Sequence, residues 1–368
     1  MARGRVGVAV VGCGNISNAY LSNLTTFPDL DVVFCADLDI ERAKAQAAQY
    51  GVPQAGTVAQ ALDSPDVELI VNLTIPAAHA PVAELAIAAG KHVWIEKPLA
   101  LETESGRALL AAADAANVQV GCAPDTVLGA GLQTVRRLLD AGTIGTPQTA
   151  LALMQNSGPD LWHPDPEFFF RRGGGPLYDM GPYYLTALAM LFGPAESVAA
   201  VGRRSRERRV IGAGPRTGAS FDVEVPTHVS ALINYAGGQA ATLVMSFDSP
   251  LGRDGFIEIT GTEATLAAPD PNAFDGDVRV RTARDDWAIT PSTGASVAGR
   301  GLGVLDMARA IRDDGRPRAS GELALHVLEI MEAIIASADT GAFVPIRTTF
   351  TAPEALAEEW DPLARTLA

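Results

Sequence analysis

Glu96, Lys97 and Pro98 stand directly after a short apolar run at residues 93–95. A proline cannot donate a hydrogen bond to a sheet ladder, so a strand that reaches Pro98 has to stop there. Glu96 and Lys97 are therefore expected at the carboxyl end of a strand, where open α/β sheets bind their ligands. Partial burial at such a place lowers the pKa of a lysine and lets it exchange protons near neutral pH. Lys97 is thus a candidate catalytic base, and a solvated Glu96–Lys97 surface pair is the alternative.

A glycine-rich motif follows a valine-rich run near the start of the chain. Gly12, Gly14, Asn15, Ile16 and Ser17 belong to a G-x-G-x-x-S pattern. The first glycine allows a tight turn, the second lets the backbone approach a pyrophosphate, and the next helix points its amide groups at the phosphates. The third position needs only a small side chain, which serine supplies. We expect the first four of these residues to bind a dinucleotide.

Asp37 ends the next apolar run and lies 23 residues beyond Gly14. This is close to the spacing of ~20 residues expected for an acid that binds the adenosine ribose. A carboxylate there accepts bonds from both ribose hydroxyls and repels a 2′-phosphate, and Leu38 follows with no arginine to receive that phosphate. The alternative is that Asp37 caps the next helix, although Asp39 is an equally good cap. The pattern favours NAD over NADP.

Strand and helix patterns alternate through the first third of the chain. After the segment of Asp37 they occupy residues 68–73, 80–89, 93–95, 103–117 and 118–122. This alternation predicts a doubly wound parallel sheet with right-handed crossovers, which is an α/β Rossmann fold. We expect a dinucleotide-binding domain over residues 1–122.

The remaining residues, 123–368, read as a second domain. A chain of 368 residues exceeds what one ordinary core holds. Residues 228–235 and 239–247 flank two glycines and predict a β-hairpin, and residues 256–260 and 265–268 predict another. We expect an α+β domain with a large, mostly antiparallel sheet that binds substrate and forms oligomers.

A second cluster of chemically capable residues follows three consecutive glycines at 173–175. Glycines at this place free the backbone to approach a ligand closely. Asp179 and Tyr183 are four residues apart and would share one face of a helix. Trp162 and His163, just upstream, are suited to walling a sugar pocket, because aromatic rings cover apolar sugar faces. Tyr183 packed in a core and His163 in a surface turn are the alternatives.

Composition limits the classes of function. The net charge of −15 disfavours nucleic acid and anionic membranes as partners, since both would be repelled. With 48% apolar and 19% charged residues the chain has material for sizeable cores. Its three cysteines are widely spaced and form no CxxC pair, which fits a reducing cytoplasm. No metal-ligand spacing occurs among the histidines, and an arginine-rich run at residues 203–209 is expected to be an exposed loop.

The glycine turn, Asp37, Thr74-Ile75-Pro76 and Glu96-Lys97-Pro98 occur in an order and spacing that resemble one family. The chain is similar to the Gfo/Idh/MocA NAD(P)-dependent oxidoreductases, which act mainly on sugars, cyclitols and sugar derivatives. The resemblance implies that Thr74, Pro76 and Glu96 contact the cofactor, and that Lys97 exchanges a proton with the substrate hydroxyl.

Further residues gain a role from the same resemblance. The family signature GGG-x-x-x-D-x-G-x-H places an aspartate and a histidine beside the sugar. Asp179 matches the aspartate, whereas Tyr183 occupies the histidine position and leaves open whether Tyr183 or His163 replaces it. His79 matches a family histidine near the cofactor. The open face of the second sheet is implied to form a homodimer or homotetramer.

The sequence as a whole predicts a cytoplasmic NAD-dependent dehydrogenase that oxidises a hydroxyl of a sugar, cyclitol or sugar derivative. Lys97 accepts the proton, Asp179 holds it in place and Tyr183 completes the contacts. One alternative is a catalytically silent NAD-binding sensor or regulatory subunit. Another is a sugar hydrolase or epimerase that keeps NAD as a prosthetic group.

Overall fold

The computed structural model describes residues 4–294, 297 and 299–367, and its contacts divide the chain into two compact units. The first unit holds the described residues within Met1–Gln133, Thr293–Leu328 and Pro353–Ala368. The second holds Thr134–Ser292 and Glu329–Ala352. The chain therefore returns twice to its first unit, which the expected division after residue 122 did not anticipate.

The first unit is built on a six-stranded parallel sheet in the order β3-β2-β1-β4-β5-β6. Its strands are β1 Val6–Val11, β2 Leu30–Ala36, β3 Gln54–Gly56, β4 Leu69–Asn72, β5 His92–Ile95 and β6 Val120–Cys122. Between them run α1 Asn15–Leu24, α2 Ile40–Tyr50, α3 Val58–Asp63, α4 Pro76–Ala88 and α5 Thr103–Ala115. Strand β1 is buried along its whole length, as expected of a strand covered on both faces. The predicted Rossmann sheet is confirmed.

The second unit is built on a nine-stranded sheet in the order β16-β15-β14-β13-β7-β12-β11-β8-β17. Only the β7–β12 pair among these described strands is parallel. The strands are β7 Pro147–Gln155, β8 Ala195–Arg203, β11 His228–Tyr235, β12 Ala240–Ser246, β13 Arg253–Gly261, β14 Ala264–Ala268, β15 Val278–Thr282, β16 Ala288–Thr290 and β17 Val344–Pro345. β9 Arg208–Val210 and β10 Ser220–Asp222 form a separate ribbon. Both predicted hairpins, β11–β12 and β13–β14, are present.

Helix α7, Gly175–Phe192, packs on this sheet against β7, β11 and β12. Burial alternates along β11, so one face of the sheet is covered and the other is outward. The remaining helices are α6 Ala130–Asp140, α8 Leu302–Arg312 and α9 Gly321–Thr340. Among all helices of the described residues, none has the length and apolar character needed to cross a bilayer.

Candidate cofactor and catalytic residues

The glycine turn after β1 is shaped by two glycines that have different neighbours. Gly12 has a φ of +94°, and a Cβ on it would lie 2.7 Å from the carbonyl carbon of Leu73 at the end of β4. Gly12 is therefore required by the fold itself. A Cβ on Gly14 would meet no atom within 4 Å. The protein's own packing does not require glycine there, which fits a position kept bare for the approach of a ligand.

The amino end of α1 is open to an anion. Gly14 is its N-cap and supplies no side-chain hydrogen bond, and the first turn carries no acidic residue. Ser17 is buried and turns its hydroxyl back to the Gly14 carbonyl at 2.6 Å. The free amide groups and the positive end of the helix dipole suit a pyrophosphate. These residues fit the dinucleotide that the sequence predicts.

Asp37 is tied into the glycine turn. Its side chain is 8% exposed, and Oδ2 accepts a 2.7 Å bond from the Cys13 amide. Oδ1 accepts a 2.9 Å bond from the Asp39 amide. Asp39, not Asp37, caps α2, accepting from the amides of Glu41 and Arg42. Asp37 thus joins the carboxyl ends of β1 and β2, and the expectation that Asp39 serves as the helix cap is confirmed.

An arginine does lie beside Asp37, contrary to the sequence argument that looked only at Leu38. Nη1 of Arg42 is 3.7 Å from Asp37 Oδ1, and its Nη2 is 3.5 Å from Asp39 Oδ2. Arg42 is half-exposed, whereas Leu38 is 98% exposed. The first turn of α2 brings Arg42 back over the end of β2 because positions three residues apart share a helix face. The lack of an arginine at position 38 therefore says nothing about a 2′-phosphate, and the preference for NAD rests on the Asp37 carboxylate.

Glu96 and Lys97 follow the carboxyl end of β5, as predicted. The Glu96 amide donates to Asn72 on β4 at 2.9 Å, which continues the ladder past Ile95. Glu96 is 9% exposed, with Oε1 accepting from the Tyr20 hydroxyl at 2.8 Å and Oε2 from the Lys97 amide at 2.9 Å. Lys97 is partly buried, and the bond that joins it to Pro98 is cis. A Glu96 carboxylate in bulk solvent is excluded by this burial.

His79 links the loop after β4 to the loop after β5. Its ring is 1% exposed, with Nδ1 2.6 Å from the Pro98 carbonyl oxygen and Nε2 3.0 Å from that of Thr74. Burial lowers the pKa of His79, and the two carbonyl oxygens oppose this shift. A neutral imidazole has one N–H and donates to one of the two oxygens. His79 acts on the neighbours of Lys97 through the backbone.

Asn72 supports the same loop and was not singled out from the sequence. It is buried at the end of β4, and its Oδ1 accepts from the Thr74 hydroxyl at 2.6 Å. Its Nδ2 donates to the His79 carbonyl at 2.9 Å, across the start of α4 where Pro76 is the first residue. A polar residue that closes an otherwise apolar strand is the signal that identifies Asn72.

In the second unit, two of the three glycines before α7 serve packing. A Cβ on Gly174 would lie 2.7 Å from the carbonyl oxygens of Phe168 and Phe169. One on Gly175, whose φ is +79°, would lie 2.9 Å from the Pro226 carbonyl. Gly174 and Gly175 therefore lie close to the protein's own backbone, whereas the sequence predicted close approach to a ligand. Only Gly173 of the three has open space around its Cβ position.

Asp179 and Tyr183 lie on α7 as predicted, one helical turn apart. Tyr183 is buried and Asp179 is partly buried. The neighbouring Tyr184 is fully buried, and its hydroxyl accepts a 2.7 Å bond from the Gly255 amide on β13. Burial raises the pKa of Tyr184. Tyr184 is therefore a packing residue that holds α7 on the sheet.

Trp162 and His163 belong to an aromatic loop that precedes the glycines. Trp162 is 65% exposed, and its ring is 5.5 Å from that of His163. The His163 ring also contacts Phe168 and Phe169, each at 5.4 Å in an edge-on arrangement. Nδ1 of His163 accepts from the Asp165 amide at 3.0 Å, so the neutral ring carries its hydrogen on Nε2. His163 can thus donate a hydrogen bond from a largely aromatic surface.

Arg209 anchors this loop and corrects the expectation of a uniformly exposed basic run. Its side chain is 2% exposed and pairs with Asp160 at 2.6 Å and with Asp248. It also donates to the Phe247 carbonyl at 2.7 Å and lies over the Phe170 ring. A buried guanidinium needs carboxylate partners of this kind, because they offset its lost hydration. By contrast, Arg208 next to it is exposed.

Comparison with known proteins decides the family. Residues 6–123 match the model of the oxidoreductase family with an NAD-binding Rossmann fold, and residues 132–267 match the GFO/IDH/MocA C-terminal domain. The chain belongs to the Gfo/Idh/MocA family. The resemblance read from the motifs is confirmed, and with it an NAD-binding oxidoreductase.

Curated and structural relatives agree with this family assignment. Trans-1,2-dihydrobenzene-1,2-diol dehydrogenase of Mus musculus is 29% identical over 256 residues, which cover 68% of this chain and 71% of the relative. D-apiose dehydrogenase of Paraburkholderia graminis is 26% identical over 351 residues, covering 92% and 89%. The structure of levoglucosan dehydrogenase in complex with NADH and L-sorbose has a TM-score of 0.81 at 22% identity, covering 94% and 99%. The last likeness shows the fold.

As a member of the Gfo/Idh/MocA family, the chain carries its cofactor and catalytic candidates on two sets of elements. In the first unit, the carboxyl edge of the parallel sheet brings together the glycine turn, Asp37, the Thr74 loop and Lys97. In the second unit, α7 carries Asp179 and Tyr183, and the aromatic loop carries Trp162 and His163. Throughout the described residues, no group of three or more His, Cys, Asp or Glu side chains is arranged to hold a metal ion.

Proposed function

We propose that this protein is an NAD-dependent dehydrogenase of a sugar, cyclitol or sugar derivative, with Lys97 as the group that takes the hydroxyl proton. The observation that carries the proposal is the position of Lys97, partly buried at the same sheet edge as Gly14 and Asp37. Relatives named for the oxidation of a diol and of apiose support a substrate with a secondary or hemiacetal hydroxyl.

NAD, when bound, supplies the acceptor for the hydride that leaves the carbinol carbon. The chain's own contribution begins with Gly14 and the open end of α1, which leave room and amide donors for a pyrophosphate. Asp37 offers carboxylate oxygens to the ribose hydroxyls. Thr74, Pro76 and His79 shape the loop beside Lys97.

The rings of the cofactor need apolar surface as well as polar anchors. Three apolar side chains follow neighbouring strands of the first sheet, β1, β2 and β4, and remain exposed: Ile16, Leu38 and Ile75. Exposed isoleucine and leucine at the ligand-binding edge favour contact with planar rings. We assign them to the cofactor surface.

Side chains of the protein accept the hydroxyl proton and bind the substrate. Lys97 Nζ accepts the hydroxyl proton as the C–H bond breaks, and it returns that proton to solvent after product leaves. Asp179 and Tyr183 bind the substrate hydroxyls from α7, because a carboxylate accepts and a phenol donates without any change of charge. Trp162 and His163 cover an apolar sugar face and donate one hydrogen bond.

A screen tests this function. Pooled sugars, polyols and cyclitols are incubated with purified protein and either NAD or NADP, and NAD(P)H absorbance is followed. Lys97→Ala is expected to abolish turnover while NAD affinity stays within about twofold, because the lysine holds a proton and not the pyrophosphate. Lys44→Ala, which removes an exposed lysine paired with Glu41, is the matched control. Turnover by Lys97→Ala near the wild-type rate overturns the proposed role.

A silent NAD-binding subunit is the second candidate, and the tyrosine at position 183 favours it. The family signature has a histidine there, and a phenol has an ordinary pKa near ~10 that is far from neutral. NAD binding without turnover of any pooled substrate supports this candidate. NAD that copurifies and never accumulates as NADH points to the hydrolase or epimerase alternative.

The outward face of the nine-stranded sheet is proposed as the homodimer or homotetramer interface. Leu151, Thr242 and Leu232 are paired across β7, β12 and β11 and therefore share one face. Leu232 and Val201 are exposed there. Light scattering of Leu232→Asp is expected to show a smaller species than the wild type, because a charge at the centre of an apolar interface opposes burial.

A further inference from the structure

Tyr20 is a buried side chain of α1 to which the proposed reaction assigns no role. Its relative exposure is 0%, and its hydroxyl donates to Glu96 Oε1 at 2.8 Å. The indole Nε1 of Trp94 donates to the same hydroxyl at 3.4 Å. The hydroxyl thus has both a donor and an acceptor role inside the core, which a buried phenol requires.

Glu96 links Tyr20 to the backbone of Lys97. One of its carboxylate oxygens is held by Tyr20, and the other accepts from the Lys97 backbone amide at 2.9 Å. A carboxylate with both oxygens engaged cannot rotate without breaking one of the bonds. The Lys97 backbone is consequently tied to a carboxylate that α1 holds in place.

Tyr20 resists ionisation, which preserves its hydrogen bond to Glu96. Burial raises the pKa of Tyr20 well above its usual value, and the negative charge of Glu96 raises it further. Buried Asp125 acts in the same direction and Arg300 in the opposite one. The phenol therefore stays protonated and remains a donor to the carboxylate.

Tyr20 connects helix α1 to the segment that carries Lys97. Tyr20 lies on α1, the helix whose amino end is open to the pyrophosphate, and it reaches the residue that precedes Lys97. On the far side, His79 holds the carbonyl of Pro98, the residue that follows Lys97. The backbone of Lys97 is thus held on both sides, once from α1 and once from α4.

We propose that Tyr20 is a positioning residue for Lys97: by fixing Glu96, it ties the lysine to the helix that binds the pyrophosphate. This inference rests on the proposed role of Lys97 as the proton acceptor. Tyr20 touches neither substrate nor cofactor in this account. Its loss should lower the rate of the chemical step and leave binding of NAD and substrate largely unchanged, since a small misplacement of a catalytic group slows reaction more than binding.

Tyr20→Phe tests the proposal, since it removes one oxygen and keeps the ring. We expect kcat to fall about 10- to 100-fold, the range for a lost hydrogen bond to a charged group, with substrate KM and NAD affinity within about twofold. Tyr50→Phe is the matched control, because the Tyr50 hydroxyl on α2 donates to Asn18 on α1 at 3.0 Å and makes no hydrogen bond to Glu96.

A second readout does not depend on turnover. Nucleotide-free protein is labelled with trinitrobenzenesulfonate over a range of pH, and modification of Lys97 is followed by peptide mass spectrometry. We expect Lys97 of Tyr20→Phe to be labelled at least about threefold faster than in the wild type, because a released lysine reaches solvent more often. Lys44 serves as the internal reference for reagent reactivity, since it is exposed in all variants.

The outcomes separate this inference from the proposed function. If Lys97→Ala is inactive while Tyr20→Phe matches Tyr50→Phe in kcat and in labelling, the positioning role is overturned and the proton role of Lys97 stands. If Lys97→Ala stays active, the proposed function fails, and the labelling of Lys97 still decides whether Tyr20 holds it. Equal labelling of Lys97 in Tyr20→Phe and wild type contradicts the inference in either case.

Discussion

Replacing Asp37 by serine is expected to shift the cofactor preference from NAD towards NADP. Asp37 is nearly buried and lies at the end of β2, with Arg42 3.7 Å from its Oδ1. In the proposed function the Asp37 carboxylate binds the ribose hydroxyls of NAD and repels a 2′-phosphate. In Asp37→Ser the repulsion is gone, and Arg42 loses its contact with Asp37 while its exposed pair with Asp39 remains, so the guanidinium can meet the phosphate.

The expected size of the shift follows from two contributions. Like charges about 4 Å apart repel by about 4 kcal/mol at an effective dielectric constant near 20, and this cost of binding NADP disappears. Loss of a charged acceptor for a ribose hydroxyl weakens NAD by about 1.5 kcal/mol or more. Discounting for solvent at the open ribose site, we expect the ratio of kcat/KM for NADP over NAD to rise by about 10²- to 10⁴-fold.

One further effect of the substitution cancels in this ratio. The Cys13 amide loses its 2.7 Å acceptor in Asp37→Ser, which should weaken the glycine turn and therefore both cofactors. Absolute affinities are for this reason a poor measure, whereas the ratio isolates the 2′ position. The ratio should be measured at a saturating concentration of one substrate found in the screen.

The assay compares wild type, Asp37→Ser, Arg42→Ala and the double variant in a cycle. Binding of NADH and NADPH, followed by nucleotide fluorescence, provides the same ratio without any substrate. Arg42→Ala in the Asp37→Ser background should cost about tenfold or less for NADP and almost nothing for NAD, because an exposed ion pair contributes about 1 kcal/mol at most. A ratio that moves less than about threefold in Asp37→Ser would refute the placement of the ribose at Asp37.

Three further substitutions test other parts of the structure. Gly12→Ala should destabilise the protein by more than Gly51→Ala. Both glycines have positive φ, but of the two only Gly12 has a backbone atom 2.7 Å from the added Cβ. Denaturant unfolding measures the two free energies of unfolding, and equal losses would contradict the prediction. Burial lowers the pKa of His79, so the unfolded chain takes up its proton first as the pH falls below about 6.5. The free energy of unfolding should therefore fall more between pH 7 and 5.5 in the wild type than in His79→Gln, and parallel curves from denaturant titrations would exclude this contribution. Asp179→Asn should raise substrate KM and lower kcat with NAD affinity unchanged, and a change confined to NAD affinity would place Asp179 elsewhere.

The local chemistry of the first unit could be predicted from the sequence. Gly12 is required by its φ and by the close approach of β4, and Asp39 caps α2 through its own next amides. Such features depend on residues within a few positions or on one adjacent strand, so the residue types at a given spacing identify them. The same holds for the end of β5 at Glu96, where Pro98 stops the strand.

The partners of distant residues could not be predicted in this way. Helix α8 packs in the first unit, where a Cβ on Gly303 would lie 2.0 Å from the Trp94 ring. A buried pair between Arg309 and Asp29 at 2.8 Å joins the same helix to the start of the chain. Helical periodicity identifies a face for burial but not the sheet that covers it, so the sequence did not indicate that α8 packs in the first unit.

Two contacts near the candidate site could not be predicted from adjacent residues. Arg42 lies beside Asp37 because a helix turn brings back a residue several positions later, beyond the residue that directly follows Asp37. Glu96, which the family resemblance implies contacts the cofactor, also has both of its oxygens engaged by Tyr20 and by the Lys97 amide, and the sequence did not predict the Tyr20 partner. Side-chain pairing across 76 residues leaves no local sequence signal.

The most direct test of the account is chemical rescue of Lys97→Ala by primary amines. The variant is saturated with NAD and substrate, and the rate of NADH formation is measured as ethylamine is added at several pH values. If Lys97 is the proton acceptor, the dead variant regains turnover in proportion to the free-base amine, and Lys44→Ala shows no response. Wild-type turnover by Lys97→Ala without added amine, or no rescue in a variant that still binds NAD and substrate normally, would contradict the central claim.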